Sequence, residues 1–522
     1  MNLRIGVDVG GTNTDAVILD GKRVRASIKR PTSADVSSGI RVAIADLLAQ
    51  ADLAPDAIDS VMIGTTHFTN AFVQASGLAR VAAIRIGFPA SRSIPPFASW
   101  PARLRDNVRG FAAMIGGGFQ FDGRTLGSLD EAGLRSLARE ISDAGISEIA
   151  VSSVFAQVNA EHEQRAAAIL REEIPGASIT LSSEVGRIGL IERENAAIMN
   201  ASLRPLATRV AAAFASALAT LGIDAPFFVS QNDGTLMNAS LMQRFPVLTF
   251  AAGPTNSLRG AYFLTGLGNA LVVDIGGTTS DIGVLTDGFP RQSSMQVDIG
   301  GIRTNFRTPD ILSIGLGGGS RVRALDGHVS IGPDSVGFRL LEEALVFGGR
   351  TLTATDVAVA AGYAAIGDRG AVADLDPGLL QSASSEIHRL LADGIDRMKT
   401  SAAPVPLILV GGGAALINQP LPGTSETIRP DDAGVANAVG AAIGQVGGEV
   451  DRIFHCGEGG RDRALDDARS LAIDAAIDAG AAPDSITIVT LEDLPLQYLP
   501  GGARRIVCRA VGDLATIGGH RG

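Results

Sequence analysis

Residues 8–19 read DVGGTNTDAVIL, and residues 274–285 read DIGGTTSDIGVL. Aligned without a gap, the two stretches share Asp, Gly, Gly, Thr, Asp and the final Leu. Each follows a β-rich run, Leu3–Val7 in one case and Ala270–Val273 in the other. Each continues into alternating apolar residues and an Asp-Gly pair, Asp20-Gly21 and Asp287-Gly288. Strand, glycine turn, strand and Asp-Gly turn spell a β-hairpin. The same hairpin written twice, far apart in the chain, predicts a duplicated half-domain.

The turn residues carry a chemical reading. Gly10, Gly11, Gly276 and Gly277 remove side chains, so backbone N–H groups can approach phosphate oxygens. Thr12, Thr14, Thr278 and Thr279 add hydroxyls, and Asn13 lies inside the first turn. Asp8 and Asp274 close the preceding strands, where a bare carboxylate would repel phosphate. They make sense through a hydrated Mg²⁺, which keeps several waters and takes one or two carboxylates. The expected ligand is therefore Mg-ATP, clamped between two facing hairpins, with Asp8, Asp274, Thr12 and Thr278 at the chemistry. No G-x-x-x-x-G-K-[ST] loop and no G-x-S-x-G elbow accompanies them, which excludes a P-loop ATPase and weakens a serine hydrolase.

Outward from the hairpins, strands alternate with helical patterns, which predicts an α/β architecture. Strands are expected at Ser60–Ile63, Val81–Ile86, Glu148–Val154, Phe227–Ser230 and Leu407–Val410. A long helical stretch, Glu192–Leu221, is interrupted near Pro205 and links the halves. Gly411, Gly412 and Gly413 follow a buried-looking strand, where a flat adenine or ribose can lie against backbone. Three weaker substrate candidates remain. Thr65, Thr66 and His67 end a strand, the position where ligands gather in open α/β sheets. Asp233 reads as a turn residue or an active-site carboxylate. Gly317, Gly318 and Gly319 read as a substrate loop or a hinge. Glu192-Arg193-Glu194-Asn195 reads as acidic residues favouring a helix N-terminus.

Composition sets the bounds. The chain has 522 residues, 46% hydrophobic and 19% charged, which predicts a globular protein of two or three domains. Its 64 glycines cluster in pairs and triplets. A net charge of −11 with no basic patch argues against nucleic acid. Apolar runs are short and interrupted, so no membrane span is expected. Two cysteines, Cys456 and Cys508, give no disulfide framework and point to a reducing cytoplasm.

Four segments together resemble the A-subunit type of the hydantoinase/oxoprolinase family, within the actin, Hsp70 and sugar-kinase superfamily. They are RIGVDVGGTNTDAVILD at 4–20, IGTTHFTNA at 63–71, VVDIGGTTSDIGVLTDG at 272–288 and IGLGGGSRVRALDGHVSIGPDSVG at 314–337. The resemblance implies duplicated actin-like, ribonuclease H-like ATPase halves at 1–192 and 193–450. The remaining 451–522 is expected as a small α/β appendage. It also implies ATP-dependent opening of a cyclic amide such as a hydantoin, 5-oxoproline or a lactam, with ATP phosphorylating the amide oxygen. A B-type hydantoinase subunit or other co-encoded partner is implied, and a homo-oligomer is compatible. A small-molecule kinase and a nucleotide-switched activator share the fold and stay open at this point.

Overall fold

The computed structural model describes residues 3–10, 13–32, 36–293, 296–325, 328–457, 459–497 and 501–515. The strands used below are, in chain order, β1 (Leu3–Val9), β2 (Asn13–Asp20), β3 (Arg23–Pro31), β4 (Ser60–Thr65), β5 (Val81–Phe88), β6 (Arg109–Gly116), β7 (Glu148–Ser153), β8 (Ser178–Leu181), β9 (Phe227–Ser230) and β10 (Thr235–Asn238). They continue with β11 (Ala270–Ile275), β12 (Ser280–Thr286), β13 (Phe289–Pro290), β14 (Ile311–Ile314), β15 (Val405–Val410), β16 (Thr424–Ile428), β17 (Gln445–His455), β18 (Thr487–Pro495) and β19 (Ala503–Gly512).

Both expected hairpins form, in identical register. β1 pairs antiparallel with β2 so that Asp8 faces Asp15, and β11 pairs with β12 so that Asp274 faces Asp281. Gly10 N–H donates to Asn13 O at 3.0 Å, and Gly276 N–H donates to Thr279 O at 2.9 Å. The likeness extends to a third strand. β4 lies parallel to β1, and β15 lies parallel to β11. The Asp287-Gly288 turn has both residues at positive φ, 51° and 79°, the requirement of a tight type I′ connection.

These hairpins seed two separate sheets. The first has nine strands in the order β18-β19-β17-β10-β9-β4-β1-β2-β3. The second has six, β13-β12-β11-β15-β16 with β14 paired to β12. A third, all-parallel sheet of four strands, β6-β5-β7-β8, is inserted between β4 and β9. The segment expected as a separate C-terminal appendage supplies β18 and β19 to the first sheet instead. β17 joins β10 in parallel and β19 in antiparallel pairing, so this part of the chain shares the first half's core. Pairing across such distances leaves no local sequence signal, which is why the segment read as independent.

The linking helix runs from Leu190 to Thr220 and accommodates Pro205 without ending. Its first turns are buried, and the acidic run there is an internal tie. Arg85 Nε donates to Glu194 Oε2 at 2.7 Å and Arg85 Nη2 to Glu194 Oε1 at 2.5 Å, while Ser152 Oγ donates to Glu194 Oε2 at 2.8 Å. The inserted sheet is thereby locked to the helix through a bidentate pair.

Between the two large sheets lie two crossed helices, Ala252–Thr265 and Ala436–Ala442. They meet backbone to backbone. A Cβ on Gly260 would collide with Ala436 O, and one on Gly440 would collide with Asn256 O. The 436–442 helix also presses on β1, where a Cβ on Gly6 would strike Ala438 O. Among the described residues no helix is long and apolar enough to cross a membrane.

The crossing therefore depends on glycine. Gly440→Ala is expected to lower unfolding free energy by about 2–4 kcal/mol, from overpacking against fixed backbone. Gly434→Ala, where a Cβ meets nothing within 4 Å, is expected to change it by less than about 0.5 kcal/mol. Urea unfolding of both variants checks this.

Candidate functional site

The two aspartates that close β1 and β11 are held by the crossed helices. Asn256 Nδ2 donates to Asp8 Oδ1 at 3.1 Å, and Asn437 Nδ2 donates to Asp8 Oδ2 at 3.1 Å. Asn437 Nδ2 also donates to Asp15 Oδ2 at 2.8 Å, and Lys29 Nζ meets Asp15 Oδ1 at 2.6 Å. On the other side, Ser257 Oγ donates to Asp274 Oδ2 at 2.5 Å. Ser313 Oγ donates to Asp281 Oδ1.

Glycine makes room for both carboxylates. Gly64 pairs with Asp8 across β4, and a Cβ there would collide with Asp8 Oδ1 and Asn256 Nδ2. Gly411 follows Val410, the partner of Asp274, and a Cβ there would collide with Asp274 Oδ1. The glycine triplet is strapped to the second hairpin, because Gly413 N–H donates to Ile275 O at 2.7 Å. Gly412 has open space on its Cβ side.

The electrostatics are those of crowded carboxylates. Burial pushes the Asp8 carboxyl up to about 6, with the charges of Asp15 and Asp274 adding to the rise. Burial raises Asp274 as well, and it lifts Asp281 to about 6. Among the described ion pairs, these four carboxylates share one cationic partner, Lys29. No three Asp, Glu, His or Cys groups among the described residues converge to grip a metal directly. The donor set thus fits a hydrated Mg²⁺ contacted by single carboxylates through water, with neutral N–H and O–H donors orienting the oxygens.

The N–H and hydroxyl groups expected to meet phosphate fall into two sets. Gly10 and Gly276 use their N–H groups to close their own turns. In the second hairpin, the N–H groups of Gly277 and Thr278 take no partner among the described residues, and Thr278 and Thr279 are exposed. In the first, Asn13 is half-buried, Thr14 is buried with its Oγ1 at 3.4 Å from Thr32, and Gly11 and Thr12 lie outside the described residues.

The other candidates separate. Thr65, Thr66 and His67 follow β4 at the same end as Asp8, with Thr66 Oγ1 at 3.5 Å from Val9 O. Burial lowers the His67 imidazole, favouring its neutral form. Gly317, Gly318 and Gly319 back the second hairpin. Gly318 N–H donates to Gly276 O at 2.9 Å and Gly319 N–H to Gly277 O at 2.7 Å, and a Cβ on Gly317 would meet Thr278 N at 2.6 Å. Their lack of side chains answers to backbone packing. Asp233 lines a different cavity, about 290 Å³, beside β17. There Arg509 and Arg307 offset its burial and hold its carboxyl down to about 2. None of the hairpin residues lines that cavity.

The sequence reading missed Asn256, Ser257, Asn437 and Lys29. Asp15 and Asp281 stood at the ends of the repeated motif, and the hairpin register was the signal for them.

Asp281 offers a test of the buried charge. Its carboxyl ionises near 3.8 when unfolded and near 6 in the fold. The unfolded state therefore loses its proton first as pH rises, so stability falls across that window and the deficit stays constant above it. Asp281→Asn is expected to be more stable than wild type at pH 8 by about 1–3 kcal/mol, with the gap narrowing toward pH 5. Urea unfolding of nucleotide-free protein at both pH values measures it.

The chain is similar to known proteins in sequence and in fold. A profile of the hydantoinase/oxoprolinase N-terminal region matches residues 4–174, and a hydantoinase/oxoprolinase profile matches residues 193–368. The caprolactamase subunit alpha of Pseudomonas jessenii is 28% identical over 384 residues, covering 70% of this chain and 55% of that protein. The acetophenone carboxylase gamma subunit of Aromatoleum aromaticum is 30% identical over 396 residues, covering 69% of this chain and 53% of that protein. The chain thus spans about half the length of the curated relatives it matches. The crystal structure of the ATP-dependent caprolactamase from Pseudomonas jessenii superposes with a TM-score of 0.79 at 21% identity, covering 98% of this chain and 88% of that one. An acetone carboxylase structure superposes with a TM-score of 0.67 at 18% identity, covering 99% and 88%.

Proposed function

The chain belongs to the hydantoinase/oxoprolinase family, and from that premise we propose that it binds Mg-ATP between its two actin-like halves and activates a cyclic amide for ring opening. One observation carries the reading. Two hairpins of identical register each present a carboxylate, Asp8 buried and Asp274 half-buried, held by neutral donors that leave both charges available to a cation.

In this reading Asp8 and Asp274 hold the waters of one Mg²⁺. Bound there, magnesium neutralises charge on the β- and γ-phosphates. Gly277 and Thr278 N–H groups and the Thr278 and Thr279 hydroxyls receive phosphate oxygens from one side. Gly10, Asn13 and Thr14 close from the other. Gly411–Gly413 leave backbone open to the nucleoside. Thr65, Thr66 and His67 extend from the same strand end as Asp8 and face the acceptor.

The chemistry follows from amide resonance, which leaves the carbonyl poorly electrophilic. The amide oxygen forms a bond to the γ-phosphorus as the bond to the β-phosphate oxygen breaks, releasing ADP. Water then adds to the ring carbon, the ring nitrogen leaves with a proton, and a second water releases phosphate. The sum is one ring opened and one ATP hydrolysed. Relatives named as subunits motivate a co-encoded partner for the hydrolytic steps. Two free cysteines are consistent with a cytoplasmic setting. The relative named as an acetophenone carboxylase subunit favours a second reading, in which the phosphoryl acceptor is a ketone.

ADP release, measured with Mg-ATP against hydantoins, 5-oxoproline, lactams and aryl ketones, with and without the neighbouring gene product, is the decisive experiment. Stimulation by a ring amide, with phosphate and ring-opened product by NMR, supports the first reading. Stimulation by ketones alone supports the second, a stable phosphorylated product indicates a kinase, and tight ATP binding without stimulation points to a nucleotide switch. Asp8→Asn and Asp274→Asn are each expected to lower Mg-dependent ADP release about 100-fold or more.

A further inference from the structure

We propose that Asn256 and Ser257, neighbours on the 252–265 helix, are positioning residues that set the carboxylates of the two halves against one another around a single cation. The proposal rests on the Mg-nucleotide reading of the site and assigns the element that aligns it.

Consecutive helical residues point about 100° apart around the axis. On this helix that divergence reaches both sheets at once. Asn256 Nδ2 donates to Asp8 Oδ1 at 3.1 Å, while Ser257 Oγ donates to Asp274 Oδ2 at 2.5 Å. One rigid helical turn therefore spans the two half-domains, and rotation or sliding of the helix moves both donors together.

The surroundings are built to keep this turn in place. Asn256 is buried at 2% exposure, and its carbonyl is where Gly440 of the crossing helix makes its closest approach. Gly64 of β4 leaves space for the Asn256 amide to reach Asp8. The second oxygen of Asp8 is taken by Asn437, whose own Oδ1 accepts Ala438 N–H at 2.9 Å, fixing the amide plane. Each Asp8 oxygen thus accepts one N–H and keeps a lone pair free.

The choice of donor type matters. A lysine in place of Asn256 would neutralise Asp8 and compete with the cation. An amide and a hydroxyl orient the oxygens and leave the negative charge intact, as outer-shell partners of metal ligands do. Asn256 and Ser257 touch neither phosphate nor acceptor in this arrangement, so their effect is expected in metal affinity and not in nucleotide contact.

The test separates metal from nucleotide. ADP binding is measured by calorimetry without divalent metal, and Mn²⁺ binding to the protein–ADP complex by electron paramagnetic resonance. The variants are Asn256→Ala, Ser257→Ala and the hydroxyl-retaining Ser257→Thr. The expected result is metal-free ADP affinity within about two-fold of wild type and Mn²⁺ affinity lowered about 10- to 100-fold in the two alanine variants. Ser257→Thr is expected to restore most of the loss. Unchanged Mn²⁺ affinity overturns the proposal. Equal loss of metal-free and metal-dependent binding also overturns it, because that is the signature of a general packing role. Absence of ADP and Mn²⁺ binding in the wild-type protein would instead overturn the Mg-nucleotide reading, and this proposal with it.

Discussion

An ionised carboxylate below a protein surface costs several kcal/mol unless hydrogen bonds or an opposite charge compensate it. The molecule concentrates four of them, Asp8, Asp15, Asp274 and Asp281, on two hairpins that one helix, Ala252–Thr265, ties together. Their mutual repulsion and burial are answered largely by neutral donors, not by arginine, and that choice dictates much else. It requires Asn256, Ser257 and Asn437 on helices that penetrate between the sheets. Those helices can do so only where glycine lets backbone meet backbone, at Gly260, Gly440 and Gly6. It requires glycine again at Gly64, on the strand beside Asp8, and at Gly411, just past the strand beside Asp274. Five of the 64 glycines are thus the steric consequence of crowding a charged site with backbone.

The sequence made the repeated part legible. DVGGTNTD and DIGGTTSD carry strand, turn and register within a few residues, so the hairpins and the α/β class could be read directly, whereas a boundary at residue 192 could not hold, because β9 and β10 join the first sheet. The order of the sheets could not be read. β17 and β19 reach the first sheet from positions hundreds of residues away, and nothing local distinguishes a strand that joins a distant sheet from one that builds its own. The site shows the same division. Asp8 and Asp274 were marked by the motif, but the residues that hold them come from the segments 256–257 and 437, where a lone Asn or Ser is unremarkable. The glycines at 317–319 announced themselves as a loop. Their partner was the backbone of the second hairpin, and a glycine-rich string does not say what approaches it.

Away from the cleft, charge is handled differently. Arg85 with Glu194, and Asp233 with Arg307 and Arg509, are buried ion pairs with matched partners. Such pairs contribute little net stability compared with apolar packing, but breaking one partner is costly. They fix the inserted sheet to the linking helix, and the β9–β10 turn to β19. The molecule thus uses paired charge where a rigid junction is needed and, apart from the Lys29–Asp15 pair, neutral donors at the hairpin carboxylates.

The interleaving of β17 and β19 with strands from the beginning of the chain has a kinetic consequence. The sheet begun by β1 takes its last three strands, β17, β18 and β19, from residues 445–512 and is complete only when residue 512 has left the ribosome. The second sheet, assembled entirely from residues 270–428, has all its strands well before that. Folding during synthesis is therefore expected to complete the second half ahead of the first, against the usual order of emergence. The early strands wait with an open edge, at β10, until β17 emerges. Long-range pairing of this kind is slow and exposes apolar strand surface in the interval, so the burden on cellular chaperones falls on the half of the molecule that is made first.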